Sequence, residues 1–399
     1  MLDFDRKNFK EKLLEDIFIY VICQKCYNQV VKEVLMMLAE SKYKHELILE
    51  LRKQLHALAE PSMLEYKTKA LLMGFLREHT SLEIVDCGSW FYAIHKGEGR
   101  QAPIAFRADF DAVLCQDGCA RHLCGHDGHS AILAGLGLAL EGLATKRDVY
   151  LLFQPAEETG QGAALCSSLL AEQQIEEIYG LHNLPGFAEK EILLAYDTFA
   201  CASTGMEISF TGAPSHAAYP EQGRNPALLI AQIITNLQEL LQKPHQGIVL
   251  GTVIGVDLGS KSYGLSAEKG LLRLTLRAER PEEYAALVDG IKNMALQGAA
   301  EQGLQCTIGF IEPFPATVNN KQCVNKVAKA AQEIGISTGF LAEPMRWSED
   351  FGYYLQKTQG AFFGLGCGLQ HAGLHTADYE FNDNIIESAV ALYLKLVEM

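Results

Sequence analysis

Between residues 82 and 181, short β-rich runs and helical runs take turns. They are IAFRADF (104–110), AILAGLGLALEGLA (131–144), DVYLLFQ (148–154), a helical stretch near 161–173, and IEEIYGL (175–181). Parallel strands need a long crossover between them, and a helix supplies it, so strand, helix, strand, helix, strand predicts a mostly parallel sheet flanked by helices. The middle third breaks that rhythm. MEISFTG (206–212) reads as a strand, NPALLIAQIITNLQELLQ (225–242) as a helix, and GIVLGTVIGV (247–256) and GLLRLTLRAE (270–279) as two strands. A helix at 281–302, with Pro281 in its first turn, and a strand at 304–312 complete the order βαββαβ, a ferredoxin-like α+β unit. After Pro313 and Pro315 the first texture returns, with a helix near 322–334 and a strand at 361–366. The expected class is therefore α/β. A discontinuous domain of residues 51–203 and 314–399 carries the parallel sheet, the α+β unit is inserted at 204–313, and a helical extension over 1–50 packs on the first domain.

A chain of 399 residues is long enough for two cores. Its 34 basic and 49 acidic residues give a formal charge of -15, which argues against nucleic acid or an anionic membrane surface and for a small-molecule substrate. The opening MLDFDRKNFKEKLLED lacks the apolar core of a secretory signal, and IFIYVIC (17–23) is too short to span a bilayer. Eleven cysteines without framework spacing, including an isolated Cys23-Gln-Lys-Cys26 in a helical pattern, fit a reducing compartment. These features predict a cytoplasmic protein.

In an open parallel sheet, ligands bind beyond the carboxyl ends of the strands. Asp109 and Asp111 follow the first strand, Glu157 and Glu158 the second, His182 the third, and His371 and His375 the last. The octapeptide HLCGHDGH (122–129) lies between the first strand and its helix and adds His122, Cys124, His126, Asp127 and His129. Thiol and imidazole together favour a borderline transition metal over magnesium or calcium. The set exceeds the needs of one tetrahedral ion and suits two ions sharing a water, an arrangement common in hydrolysis. Adjacent side chains on an extended segment point apart, so one of Glu157 and Glu158 can ligate while the other acts as general base. A Cys124/His126 nucleophile dyad would leave the glutamates and the distant histidines without a role. An isolated histidine such as His122 or His129 is more often a hydrogen-bonded structural residue.

RADFDAV (107–113), HLCGHDGH (122–129), FQPAEETGQGA (153–163), GLHNLPG (180–186), GAPSHAAYPEQGRNPA (212–227), SEDFGYYL (348–355), FFGLG (362–366) and LHTADYEFND (374–383) resemble, in order, the motifs of metal-dependent amidohydrolases. That group includes hippurate hydrolase, auxin-conjugate hydrolases and N-acyl-amino-acid deacylases, within the aminoacylase, acetylornithine deacetylase and carboxypeptidase G superfamily. The resemblance implies a catalytic domain holding two divalent ions (zinc, manganese, nickel or cobalt) and an inserted lid through which the chain forms a homodimer. It implies Cys124, His126, Glu158, His182 and His375 as metal ligands and Glu157 as general base. It further implies that His216 of the lid stabilises the tetrahedral intermediate, often in the partner subunit's site, and that Asp111 orients a ligand. HALAEPS (56–62), GRNP (223–226) and GSKSYGLSAEKG (259–270) depart from the usual patterns, which bears on the substrate pocket. The implied activity is cleavage of N-acyl amino acids. A dipeptidase or carboxypeptidase uses the same chemistry, and a binding protein that kept the fold would have no use for Glu157.

Overall fold

The computed structural model describes residues 42–399. The chain divides after Glu50 into two units, and of the first only residues 42–50 are described, all helical. The helices expected over 5–41, and Cys23 and Cys26 with them, lie outside the described residues. The second unit, Leu51–Met399, holds two large sheets and two small two-stranded ones.

Eight strands form one mixed sheet in the order Glu83–Asp86, Phe91–His95, Val149–Gln154, Ile104–Asp109, Glu177–Leu184, Gln359–Gly366, Ile192–Leu194, Thr338–Phe340. The central four run parallel, as do the last two, and the first two strands and Ile192–Leu194 pair antiparallel with their inner neighbours. Ile104–Asp109 and Val149–Gln154 are buried along their whole length, as expected of strands covered on both faces. The helix His126–Leu140 lies on this sheet and is buried at every position but one, so its sequence shows little amphipathic contrast. Leu136 in its middle has no exposed surface, and truncating it to alanine should cost about 2–5 kcal/mol.

Three local expectations are corrected. The helix expected from 131 begins at His126, because Gly125 takes a left-handed conformation (φ 96°) and turns the chain into it early. The third strand runs on to Leu184, so His182 is a strand residue, held in register with Gly364. The helix expected near 161–173 is two short ones, Gly162–Cys166 and Ser168–Glu172. Ser167 between them donates its hydroxyl to the Ala164 carbonyl, competing with the helical ladder.

The second sheet is wholly antiparallel, in the order Val249–Leu258, Lys269–Ala278, Ala202–Thr211, Gln305–Phe314. With the helices Ala227–Leu241 and Pro281–Glu301 it realises the βαββαβ order. Residues alternate buried and part-exposed along Lys269–Ala278, the pattern of a sheet with one covered face. Leu272, Leu274 and Leu276 meet Leu229, Ile230, Ile233 and Leu237 of one helix and Leu287 and Ile291 of the other in a separate core. Among the described residues no helix is long and apolar enough to cross a membrane.

Candidate active site

Many of the buried polar residues gather at and beyond the carboxyl ends of the parallel strands, among them Asp109, Asp111, His126, Glu157 and His182. Gly125 is required there: a Cβ on it would stand 2.4 Å from Asn183 Oδ1 and 2.5 Å from the Tyr379 hydroxyl. Gly128 is required too, since its Cβ would sit 2.2 Å from the ring of Phe381. These two contacts let the helix start close enough for His126 to face the strand ends.

His126 Nδ1 lies 3.1 Å from both the carbonyl and the Oδ1 of Asp111, acceptors that fix the proton on that nitrogen. Nε2 is then left with its lone pair, buried and without a hydrogen-bond partner, 3.8 Å from oxygens of Asp109, Glu157 and Glu158. His182 is held the same way: Nδ1 donates to the Asn183 carbonyl at 2.9 Å, and Nε2 faces Cys124 Sγ at 3.4 Å. His375, in a left-handed conformation (φ 62°), is anchored by its N–H to the Leu123 carbonyl at 2.8 Å. Its Nε2 is 3.6 Å from Glu158 Oε1, a buried oxygen with no hydrogen-bond partner.

The ligand atoms form overlapping groups, Cys124–His126–His182, Cys124–Glu158–His375 and His126–Glu157–Glu158, each within 4.8 Å. Cys124 belongs to the first two. Buried lone pairs and carboxylates facing one another without protons between them are costly unless a cation sits there, so this donor set fits divalent metal. Without a cation, the same crowding favours protons on these groups. Burial, reinforced by Glu158, pushes the Cys124 thiol up, and burial pushes Glu158 up to about 7. Burial with Glu349, Asp350 and Glu158 holds Glu157 well above the usual carboxylate range. For His126, burial alone would favour the neutral ring, but Asp109, Cys124 and Asp111 together outweigh it and raise its pKa.

Glu157 and Glu158 do not sit on an extended segment. Ala156 has φ 52° and the next four residues form a turn, closed by Gly160 N–H on the Glu157 carbonyl at 2.8 Å. The turn, rather than strand alternation, separates the two carboxylates. Both line a cavity of about 280 Å³ with Cys124, His182, Glu349 and His375, and Phe314, Trp347, Ser348 and Leu374 form the rest of its wall.

Other histidines of the octapeptide stay out of these groups or are engaged elsewhere. His129 is clamped between Asp109 Oδ1 and Asn183 Oδ1, both at 2.7 Å, which leaves no free lone pair. His122 is buried with both nitrogens lacking a hydrogen-bond partner among the described residues, and burial lowers its pKa, favouring the neutral ring. His216 is exposed on the antiparallel unit, bridged to Leu265, and is not among the cavity residues of its own chain.

Arg107, Glu349, Asp350 and Arg277 are site residues without a role in the expectations above. Arg107 is fully buried, binding Asp109 and Asp350 at 2.7 Å, Glu349 at 3.0 Å and Gln154 at 2.7 Å. A charged residue inside the apolar run IAFRADF was the available signal. Arg277 is half-buried, donates to Ser348 Oγ at 2.9 Å and the Arg346 carbonyl at 3.1 Å, and has no carboxylate partner among the described residues. Nothing in its strand sequence marks it, since Arg273 two turns of the pleat earlier is an ordinary surface ion-pair residue.

Residues 105–399 match peptidase family M20/M25/M40. The chain belongs to that family. It is accordingly a metal-dependent hydrolase of amide bonds. It is 26% identical over 364 residues to the N-acetyldiaminopimelate deacetylase of Bacillus subtilis, an alignment covering 87% of this chain and 96% of that one. The YXEP protein of Bacillus subtilis, described as a dinuclear metal binding peptidase of the M20 family, superposes with a TM-score of 0.77 at 25% identity, over 89% of this chain and 98% of that one. The aminobenzoyl-glutamate utilization protein of Klebsiella pneumoniae shares the fold, with a TM-score of 0.70 at 18% identity over 90% and 97% of the two chains.

Proposed function

We propose that this M20 enzyme is a deacylase that cleaves the amide of N-acyl amino acids, with two divalent ions (zinc, manganese, nickel or cobalt) held by Cys124, His126, Glu158, His182 and His375. The observation that carries the reading is the sharing of Cys124 between two ligand groups, beside a buried Glu157 that faces the same cavity. When bound, the ions supply Lewis acidity to the amide carbonyl and to water. Glu157, buried at the wall of the same cavity, takes a proton from the attacking water and passes it to the leaving amine nitrogen. Asp111 keeps the His126 ring in its ligating tautomer.

Arg277, beside the cavity residue Ser348 and without an acid of its own, receives the carboxylate of the amino acid. Phe314, Trp347 and Leu374 give the acyl group an apolar wall. Residues 204–313 act as a lid, and His216 reaches the oxyanion in the partner subunit's site. The edge strand Val249–Leu258 exposes Val253, Ile254, Val256 and Leu258, a surface suited to pairing with a second copy.

The test is amine release from N-acetyl, N-benzoyl and longer N-acyl amino acids, their carboxamide counterparts and dipeptides, before and after chelation and with each metal restored. Chelator-sensitive cleavage of acyl amino acids, at least tenfold weaker on the carboxamides, is expected. Preference for dipeptides would replace the deacylase reading with a peptidase, and binding without turnover under any metal would remove both.

A further inference from the structure

We propose that Glu65 and Ser62, three residues apart on one strap, are positioning residues that set the two halves of the site through separate bonds. The proposal rests on the reading of Glu157 as base and His126 as metal ligand. Ala156 occupies a left-handed conformation that side chains other than glycine rarely hold, so something outside the turn must keep it there. Its N–H donates to Glu65 Oε1 at 2.9 Å, a bond that spans 91 residues of sequence. Its carbonyl accepts from Gln161 and Gly162 at 3.2 Å. Ala156 is thus held on both sides, and the next residue is Glu157. Glu65 is buried, so no solvent molecule stands ready to replace its oxygen.

The other arm is Ser62. Its hydroxyl donates to Asp111 Oδ2 at 2.7 Å, the oxygen that also accepts the Glu158 N–H at 3.1 Å. Asp111 Oδ1 faces His126. Ser62 therefore acts on the ligand side and Glu65 on the base side.

The strap carrying both is fixed independently of the site. Pro61 bridges Ala112, the Ala112 N–H donates to the Glu60 carbonyl at 2.9 Å, and Leu64 N–H donates to the Pro61 carbonyl at 3.0 Å. Glu60 Oε2 accepts from Lys67 and Thr68 N–H, each at 2.8 Å, tying the strap to the helix Tyr66–His79. A misplaced catalytic group costs turnover, whereas a misoriented ligand costs metal affinity, so the two arms predict different losses.

The variants Glu65→Ala, Glu65→Asp, Glu65→Gln and Ser62→Ala, with Glu157→Gln as reference, are compared for kcat, KM, zinc affinity by chelator competition and unfolding temperature. Glu65→Ala should lower kcat about 10- to 100-fold with KM and zinc affinity within about twofold. Glu65→Asp, one methylene short of Ala156, should lose kcat in the same direction. Glu65→Gln keeps the acceptor and should stay within about threefold of the unaltered enzyme. Ser62→Ala should weaken zinc about tenfold while kcat at saturating zinc changes less than about threefold. Unaltered kcat in Glu65→Ala and Glu65→Asp, a Gln variant as impaired as the Asp variant, or zinc and kcat losses that merely follow unfolding temperature would each overturn the proposal. Turnover by Glu157→Gln would remove the base reading and the proposal with it. An inactive, zinc-replete Glu157→Gln beside a fully active Glu65→Asp would remove the positioning role alone.

Discussion

The two sheets bury their residues in opposite ways. In the eight-stranded sheet the central strands are covered on both faces, so most polar side chains collect toward the strand ends, where they form a packed network around Cys124, His126, Glu157 and Arg107. The four-stranded sheet is covered on one face and carries its polar and exposed apolar residues on the other face and edges, with His216 on an open loop. One region is a packed polar network, and the other exposes apolar side chains along its edge strand. That contrast predicts large effects from single atoms in the first region and effects in the second that depend on assembly.

The largest effect should come from Glu157→Gln. Loss of the base should lower kcat by about 10²- to 10⁴-fold while bound metal stays unchanged, since Glu157 is not needed for the Cys124-sharing ligand groups. Measuring turnover and metal content on the same sample separates the roles. A glutamine variant that also loses its metal would make Glu157 a ligand instead.

His216→Ala should lower kcat by about 10²-fold, the cost of removing one oxyanion donor. Its dependence on assembly is tested by mixing: if His216 works across subunits, equal parts of Glu157→Gln and His216→Ala, unfolded and refolded together, should regain about a quarter of normal activity. Half of the dimers are then mixed, and each has one complete site. No recovery would place His216 in its own subunit's site. Smaller still, if the edge strand pairs with a second copy as proposed, Ile254→Lys should shift the chain from dimer to monomer in sedimentation, lowering activity only as far as His216 depends on the partner.

The alternation of element types exposed both sheets in the sequence, because burial on two faces and on one face leave different periodicities. Part of the candidate site was legible for a related reason: Asp109, Glu157 and His182 follow or close apolar runs, where such side chains stand out, while the choice of ligands came from the family resemblance. The features that stayed hidden were set by contacts between distant segments. Glu157 and Glu158 are parted by the strained Ala156, which nothing local announces, and Glu65 reaches that residue from 91 positions away. Arg107 and Glu349 meet across more than two hundred residues. The octapeptide also concealed which histidines have free lone pairs, since His129 is excluded only by Asp109 and Asn183 closing on both its nitrogens.

The smallest effect predicted concerns the network itself. Burial pushes the Glu349 carboxyl up to about 8 and Asp350 up to about 6, against the pull of Arg107 in both cases. Asp109, Asp350, Glu157, Arg107 and His126 are the charged and titratable groups acting on Glu349. The folded chain therefore keeps a proton on Glu349 at pH values where the unfolded chain has lost it. The stabilisation is complete below the unfolded pKa of 4.5 and disappears as pH rises through about 8. Glu349→Gln has the neutral shape but no proton to lose. In chelated protein the unfolding temperatures of the two forms should be closest near pH 5 and separate by about 2–5 °C in favour of the glutamine variant by pH 8.5. Parallel curves for the two forms would mean that the buried Glu349 carboxylate is ionised in the fold, with Arg107 and His126 balancing the acids around it.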